Sequence, residues 1–470
     1  MKLMKFVNIF IIILIYGTSS LFSKEIILSE KDYLLIVGKN HPVAKKAELL
    51  SQRGNLEIRK AAGQFDPTIF ADYQSKTYKD KSYFDIFSGG LKIPVWYGTD
   101  IRLSYESNSG NYINPERYTP KDGLLSAGIE LPLGQGLLID KRRAAFKQAE
   151  IFERMTKVEQ ISLLNDLYLQ AVNSYWEWMG AYTKLKLTEQ SLNVTKIRYS
   201  GVLESFRQGD IAAIDTVESS LQVLNFEFNY QNAQNDFIIS TLELSNFLWD
   251  ENQIPMELNS NVVPDNKFDI DLNQLNRINS FNDKIDSMVA VHPEIMVYDF
   301  KLDELDVERS LKLEYLKPKL NLKYDFLNDF MTDNKFRLND LPSNKFGLNF
   351  NMPLFLRTER SDLEIADLKI FEKKLERDNK IYQLKNKIIK SYNDVELLSQ
   401  QFNTYSKLVK NYETLFDAEQ TKFKIGESSM FIINSRENSL LNSKIKQIEL
   451  LTKFYTKIAI LKWNLGIISN

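Results

Sequence analysis

From Ile381 to Phe416 apolar side chains recur at every third or fourth position: Ile381, Leu384, Ile388, Tyr392, Val395, Leu398, Phe402, Tyr405, Val409, Tyr412 and Phe416. This spacing marks a helix with one buried stripe. A stripe held over about five heptads predicts helices packed side by side along their length. The same stripe stands 217 positions earlier as Leu164, Leu167, Ala171, Tyr175, Trp178, Ala181, Leu185, Thr188, Leu192, Thr195 and Tyr199. The first helical run, Leu138 to Gln208, has roughly 70 residues, on the order of 100 Å at 1.5 Å per residue.

Elsewhere the period is two. Ile69, Ala71 and Tyr73 alternate with Phe70, Asp72 and Gln74, and Leu320, Leu322, Tyr324 and Phe326 alternate with Asn321, Lys323 and Asp325. Alternation returns through Leu125, Ala127, Ile129 and Leu131, and through Phe346, Leu348, Phe350 and Met352, each run ending in a Pro-Leu step. These runs predict strands with one apolar and one polar face. The first copy holds 30 additional residues between its two outer strands; Leu91, Ile93 and Val95, then Ile101, Leu103 and Tyr105, read as an extra hairpin or as longer strands. Four or six strands are therefore open. No partner sheet is at hand to cover the apolar face, and four strands cannot close a barrel that needs about eight, so the chain is expected to oligomerise.

The chain is written twice. His41-Pro42 returns as His292-Pro293, and Pro67 as Pro318, both 251 positions later. A His-Pro step at a helix entrance reads as structural. Each long helix stops at a glycine, in Phe206-Arg207-Gln208-Gly209-Asp210 and in Phe423-Lys424-Ile425-Gly426-Glu427. Glycine suits a helix stop that needs a left-handed residue, and Asp210, or Glu427 with Ser428, is placed to begin the returning helix. The returning helices reach about Trp249 and Trp463. Asp250 to Asp286, rich in Asn, Asp and Pro, reads as irregular connecting structure.

Composition narrows the chemistry. A net charge of −2 implies no nucleic-acid partner, and zero cysteines with only two histidines leave little material for a metal site or for catalysis. No enzyme and no cofactor are expected. Gly134-Gln135-Gly136 lacks the third glycine of a dinucleotide turn and reads as a strand-to-helix connection. Tyr175, Trp176, Trp178 and Tyr182 read as helix-helix core rather than as a substrate lining. Lys2 and Lys5, the apolar run Phe6 to Tyr16 and the small residues Gly17 to Ser20 read as a secretory signal over 1–23.

The signal, the doubled strand-helix-helix plan, the Pro-Leu strand exits and the paired glycine turns together resemble the TolC-like outer-membrane efflux protein family. The resemblance implies a mainly α fold with a membrane β-barrel portion: three subunits form one twelve-stranded barrel, four strands each, and one periplasmic α-helical tunnel. It implies an outer-membrane channel of a tripartite efflux or type I secretion system, extending into the periplasm, with outer-membrane lipid, a periplasmic adaptor and an inner-membrane pump as partners. A periplasmic coiled-coil scaffold or surface adhesin without a channel is the rival reading. The expected division is a periplasmic helical segment over 24–66, strands over 67–133, a helical hairpin over 134–249, a mid-height connection over 250–287, a helix over 288–317, strands over 318–354 and a second hairpin over 355–470. By resemblance, Gly209, Asp210, Gly426 and Glu427 mark the periplasmic tips that dock the adaptor, and Asp215, Ser428, Ile432 and Ser435 are entrance-gate candidates. Asp215 matches a family aspartate. Ile432 and Ser435 stand where the family carries aspartates, and Ser428 where it carries a basic residue.

Overall fold

The period-two runs form one antiparallel sheet, and the threes and fours form two pairs of long helices. The computed structural model describes residues 25–259, 261–265, 285–329 and 343–467, so the expected signal lies outside the described residues. In chain order the elements are β1 (Ile26–Leu28), α1 (Glu30–Asn40), α2 (Pro42–Ala62), β2 (Thr68–Tyr78), β3 (Lys81–Pro94), β4 (Asp100–Ser109) and β5 (Leu124–Pro132). There follow α3 (Lys141–Gln208), α4 (Ala213–Ser245), β6 (Val262–Pro264), α5 (Ile285–Ala290), α6 (Pro293–Glu314), β7 (Lys319–Asp329), β8 (Asn344–Asn351), α7 (Arg357–Lys424) and α8 (Met430–Asn464). Contacts divide the chain into two units, one drawn from within Met1–Ala44, Asp166–Ile278 and Ser391–Trp463, the other from within Lys45–Asn165, Asn279–Lys390 and Asn464–Asn470.

The second unit holds the sheet, whose strand order among the described residues is β2-β3-β4-β5-β7-β8. The 30 additional residues of the first copy form the hairpin β3–β4, giving six strands where the resemblance implied four. Register puts Ile69, Leu91, Leu103, Ala127 and Phe326 in one row, and Ile93, Ile101, Ile129, Tyr324 and Phe346 in another on the same face. Leu131, Leu322 and Leu348 continue that face. Side chains alternate across a sheet, so the intervening rows carry the polar set. There Lys92 pairs with Asp100 at 2.9 Å, Arg102 with Glu130, and Lys323 with Glu130 at 3.6 Å. The hydroxyls of Ser104 and Ser126 lie 2.6 Å apart on the same polar side.

Leaving the sheet requires the chain to turn into a helix without abandoning its backbone groups. After β5, the amides of Leu133 and Gln135 donate to Leu320 and Pro318 carbonyls at 2.7 and 2.8 Å. The buried Glu314 carboxylate accepts from the amides of Gly136 (3.1 Å) and Leu138 (3.2 Å), so Gly134-Gln135-Gly136 is the strand-to-helix connection that its sequence indicated. Asp140 caps α3 by accepting from the Arg143 amide at 2.9 Å. The basic run Lys141-Arg142-Arg143 is placed against the helix dipole, and its arginines are used instead to tie the junction together. Arg142 reaches Asp100 at 2.8 Å, while Arg143 donates to the carbonyls of Gly136, Leu137 and Leu138.

In the first unit the aromatic cluster is core. Tyr175, Trp176, Trp178 and Tyr182 are buried; Trp178 Nε1 donates to Thr241 Oγ1 at 3.0 Å, and Tyr175 donates to the Leu28 carbonyl at 2.9 Å. Trp176 stacks on Tyr455 with ring centroids 3.7 Å apart. Every position of both sequence stripes is buried or half-buried. The segment 24–66, read as helical, instead opens with β1, which pairs in parallel with β6 from the stretch read as irregular. Ile26, Ile27, Val262 and Val263 are β-branched, but three residues are too few for a period to show.

Both histidines sit at helix entrances. His292 accepts from the Glu294 amide and His41 from the Val43 amide through Nδ1, each at 3.2 Å. Accepting at Nδ1 requires that nitrogen to be unprotonated. Burial lowers the His41 pKa from its ordinary 6.5, partly opposed by a hydrogen bond to the Asn246 backbone. A histidine held neutral contributes stability above its unfolded pKa and loses it as pH falls. Thermal stability of the wild-type protein is therefore expected to fall as pH drops from about 7 to 5. His41→Asn, which keeps a side-chain acceptor, should flatten that part of the profile in a pH series of melting curves; an unchanged slope would remove His41 as its source.

Candidate functional site at the helical turns

Each 68-residue helix ends in the same way. Gly209 and Gly426 have φ of +82° and +79°. The Asp210 amide donates to the Ser205 carbonyl at 3.0 Å and the Gly209 amide to Phe206 at 3.0 Å; Glu427 and Gly426 repeat the pattern onto Lys422 and Phe423 at 2.9 and 3.0 Å. This pair of bonds closes the last helical carbonyls through a left-handed residue. Open space surrounds both glycines where a Cβ would sit, so the backbone angle alone demands glycine.

The start of the returning helices differs from the sequence reading. α4 is capped at Ala212 with no side-chain capping bond, and Asp210 stays exposed outside it. The Ser428 hydroxyl bonds to the Glu419 carboxylate on α7 at 2.5 Å, and the first turn of α8 is closed on the Ser429 carbonyl, so neither Glu427 nor Ser428 caps α8. Glu427 and Ser435 are exposed, Ile432 is 37% exposed and Asp215 is half-buried. Met430 and Ile433, by contrast, are buried at 1% and 2% and fix the start of α8.

Eleven residues from each glycine lies a polar cluster that sequence reasoning missed. Arg198 on α3 makes a two-pronged ion pair with Glu437 on α8, at 2.7 and 2.6 Å. Gln222 on α4 donates to Glu437 at 3.3 Å and exchanges hydrogen bonds with Asn438 at 3.2 and 3.1 Å. Thr195 adds a contact of 3.5 Å to Glu437, and the Arg198 guanidinium stands 5.9 Å over the Phe416 ring of α7. Glu437 is 7% exposed. The cluster thus ties both helical hairpins together, directly above an apolar layer of Leu192, Phe226 and Leu441. Its one sequence signal was a Glu-Asn pair within the otherwise apolar and small-residue face of α8.

A buried pair of this kind gains little over an apolar pair but is costly to break on one side. Arg198→Ala should destabilise the hairpins by about 3 kcal/mol, because Glu437 is left charged and unpaired. Arg198→Leu combined with Glu437→Leu should recover most of that loss in denaturation and hydrogen-exchange measurements. A double variant as unstable as the single one would show that the cluster contributes through more than charge pairing.

Residues 285–463 match the family model for outer membrane efflux proteins. No match is found among curated protein sequences. Among solved structures, the fold is similar to the Campylobacter jejuni CmeC outer membrane channel (TM-score 0.62, 12% identity, covering 93% of this chain and 85% of that one). It is also similar to the outer membrane protein VceC of Vibrio cholerae (0.63, 12%, 93% and 96%). The open state of the Neisseria gonorrhoeae MtrE outer membrane channel compares likewise (0.64, 13%, 96% and 93%). The family match covers the second copy of the duplication, and the shared fold extends over nearly the whole chain.

Proposed function

We propose that this protein is the outer-membrane channel subunit of a tripartite efflux or type I secretion system. In this reading it is a homotrimer whose sheets close a β-barrel in outer-membrane lipid and whose helical hairpins form a passive periplasmic duct. The observation that carries it is the bare apolar face of the sheet: Ile69 is 86% exposed, Phe346 63%, Leu348 58% and Phe350 64%, all on the side opposite the ion pairs. In water such a surface is costly; in lipid it is the favoured outer wall. The match of the second copy to outer membrane efflux proteins and the fold shared with solved outer-membrane channels support the same conclusion. A coiled-coil scaffold or adhesin would account for the helices and leave this face without a purpose.

The turns at Gly209 with Asp210 and Gly426 with Glu427 are the surfaces offered to a periplasmic adaptor, which an inner-membrane pump would feed. Asp215, Ser428, Ile432 and Ser435 belong to the entrance. Ser428 is engaged with Glu419, and Ile432 and Ser435 carry no charge, so a mouth lined by them is neutral; the competing arrangement is a negative ring made by Asp215 or Glu427.

Two outcomes test this reading. Leu322→Arg or Phe350→Arg should abolish assembly of a heat-dissociable, carbonate-resistant trimer, at ~2–4 kcal/mol per lipid-facing arginine, while Asn321→Arg or Asn349→Arg should be tolerated. Equal tolerance on both faces, or release of the wild-type protein by carbonate, would remove the barrel. At the entrance, trivalent cations added on the periplasmic side of a planar bilayer should block conductance only weakly. Tight block that disappears in Glu427→Gln or Asp215→Asn would instead identify the carboxylate that forms a ring.

A further inference from the structure

The extra hairpin β3–β4 gives each chain six strands, and its integration bears on the width of the barrel. It is laddered on both sides, to β2 over Thr68–Tyr78 and to β5 over Asp100–Glu106, with its apolar residues in the same rows as theirs. On the polar face its side chains take part in the pairing: Lys92 with Asp100 within the hairpin, Arg102 with Glu130 of β5, and Ser104 with Ser126 of β5. Its turn is packed against the helix side of the sheet. There Trp96 lies 5.1 Å from the Phe65 ring, in the turn that follows α2, and 5.2 Å from the Phe146 ring of α3. Gly98, at φ +75°, sits where a Cβ would stand 2.8 Å from the Gly136 carbonyl. A hairpin lying outside a barrel wall would share neither these rows nor this junction.

The two outer strands set how copies can join. All five pairings in the sheet are antiparallel, so with six strands β2 and β8 run in opposite directions. Among the described residues each has a ladder on one edge only. Placing β8 of one copy beside β2 of the next continues the antiparallel alternation and keeps the apolar face on one side all the way round. Open edges in lipid leave backbone groups unpaired, which drives closure.

We propose that all six strands of each copy enter the barrel wall, joined β8 to β2 between copies, so that the trimer closes an eighteen-stranded barrel rather than a twelve-stranded one. This rests on the trimeric channel reading above. Strands about 4.8 Å apart and tilted by about 40° give a ring about 36 Å across for eighteen strands, against about 24 Å for twelve. The cross-section is then about twofold larger, in the size range where barrels leave an aqueous channel. Its lining would be the mixed-sign polar face described above.

The chain has no cysteine, so introduced thiols report without background. In the full-length protein in lipid nanodiscs, Ser104→Cys with Ser126→Cys should form an intrachain disulfide in nearly all copies while the trimer persists. Ala71→Cys combined in turn with Phe346→Cys, Leu348→Cys or Phe350→Cys should give covalent dimers and trimers in at least one combination. End-on electron microscopy of the wild-type trimer should resolve eighteen strands. Twelve strands, or a 104–126 pair that stays reduced in an intact trimer, would overturn the proposal while leaving the channel reading in place. A native mass of one or two copies would overturn both the trimer and the eighteen-strand count.

Discussion

A sheet that leaves its own apolar face bare is the constraint from which the rest of this structure follows. Within one chain, among the described residues, the rows running from Ile69 to Phe326 and from Ile93 to Phe346 meet no second sheet, while the opposite face satisfies itself with ion pairs and hydroxyl contacts. The two faces demand different solvents. In the proposed barrel, a wall between lipid and an aqueous lumen supplies both at once, and a closed ring of copies removes the unpaired edges that an isolated sheet would carry. The helices meet a related demand, since a stripe held over about five heptads is buried only by neighbours running alongside it.

Duplication explains the symmetry of the helical hairpins, and the departures from duplication mark where the two copies have diverged. The glycine turns are equivalent down to the individual backbone hydrogen bonds. The polar cluster near them is not: positions equivalent to Arg198, Glu437 and Gln222 are Leu415, Ser220 and Ser439. Among the described residues one set of charges therefore joins the hairpins, with no mirrored second set. The sheet is unequal in the same way, with four strands from the first copy and two from the second among the described residues.

Much of this was legible in the sequence because it is periodic. The stripe from Ile381 to Phe416 repeats often enough to fix which side of its helix is buried, and the alternation through Leu320 to Phe326 often enough to fix which side of its strand is apolar. Gly209 and Gly426 were legible because a left-handed helix stop has a residue-specific cost. What escaped rests on long-range pairing. β1 and β6 are three residues each and exist only through one another. Glu437 looks like any helix carboxylate until Arg198, 239 positions away, closes on it. Asp210 and Ser428 have good capping chemistry but do not cap, because the tight turn after each glycine starts the next helix later, at Ala212 and Ser429.

The location of the polar cluster also limits where the turns can rearrange. Arg198 and Glu437 each lie eleven residues from a glycine, which is about 16 Å along a helix. Beyond the cluster the described links between the hairpins thin out to contacts such as Asn434 with the Glu218 carbonyl at 3.4 Å, and buried anchors such as Met430 and Ile433. Toward the middle of the helices, interlocked apolar and aromatic layers begin with Leu192, Phe226 and Leu441 and continue to Trp176 and Tyr455. Loosening the turns alone costs a few weak hydrogen bonds and some apolar area. Separating the hairpins further in would strand a buried carboxylate and its arginine, which costs several kcal/mol per broken pair. The cluster therefore forms the boundary between a terminal segment held by few described links and a helical body held by packed layers.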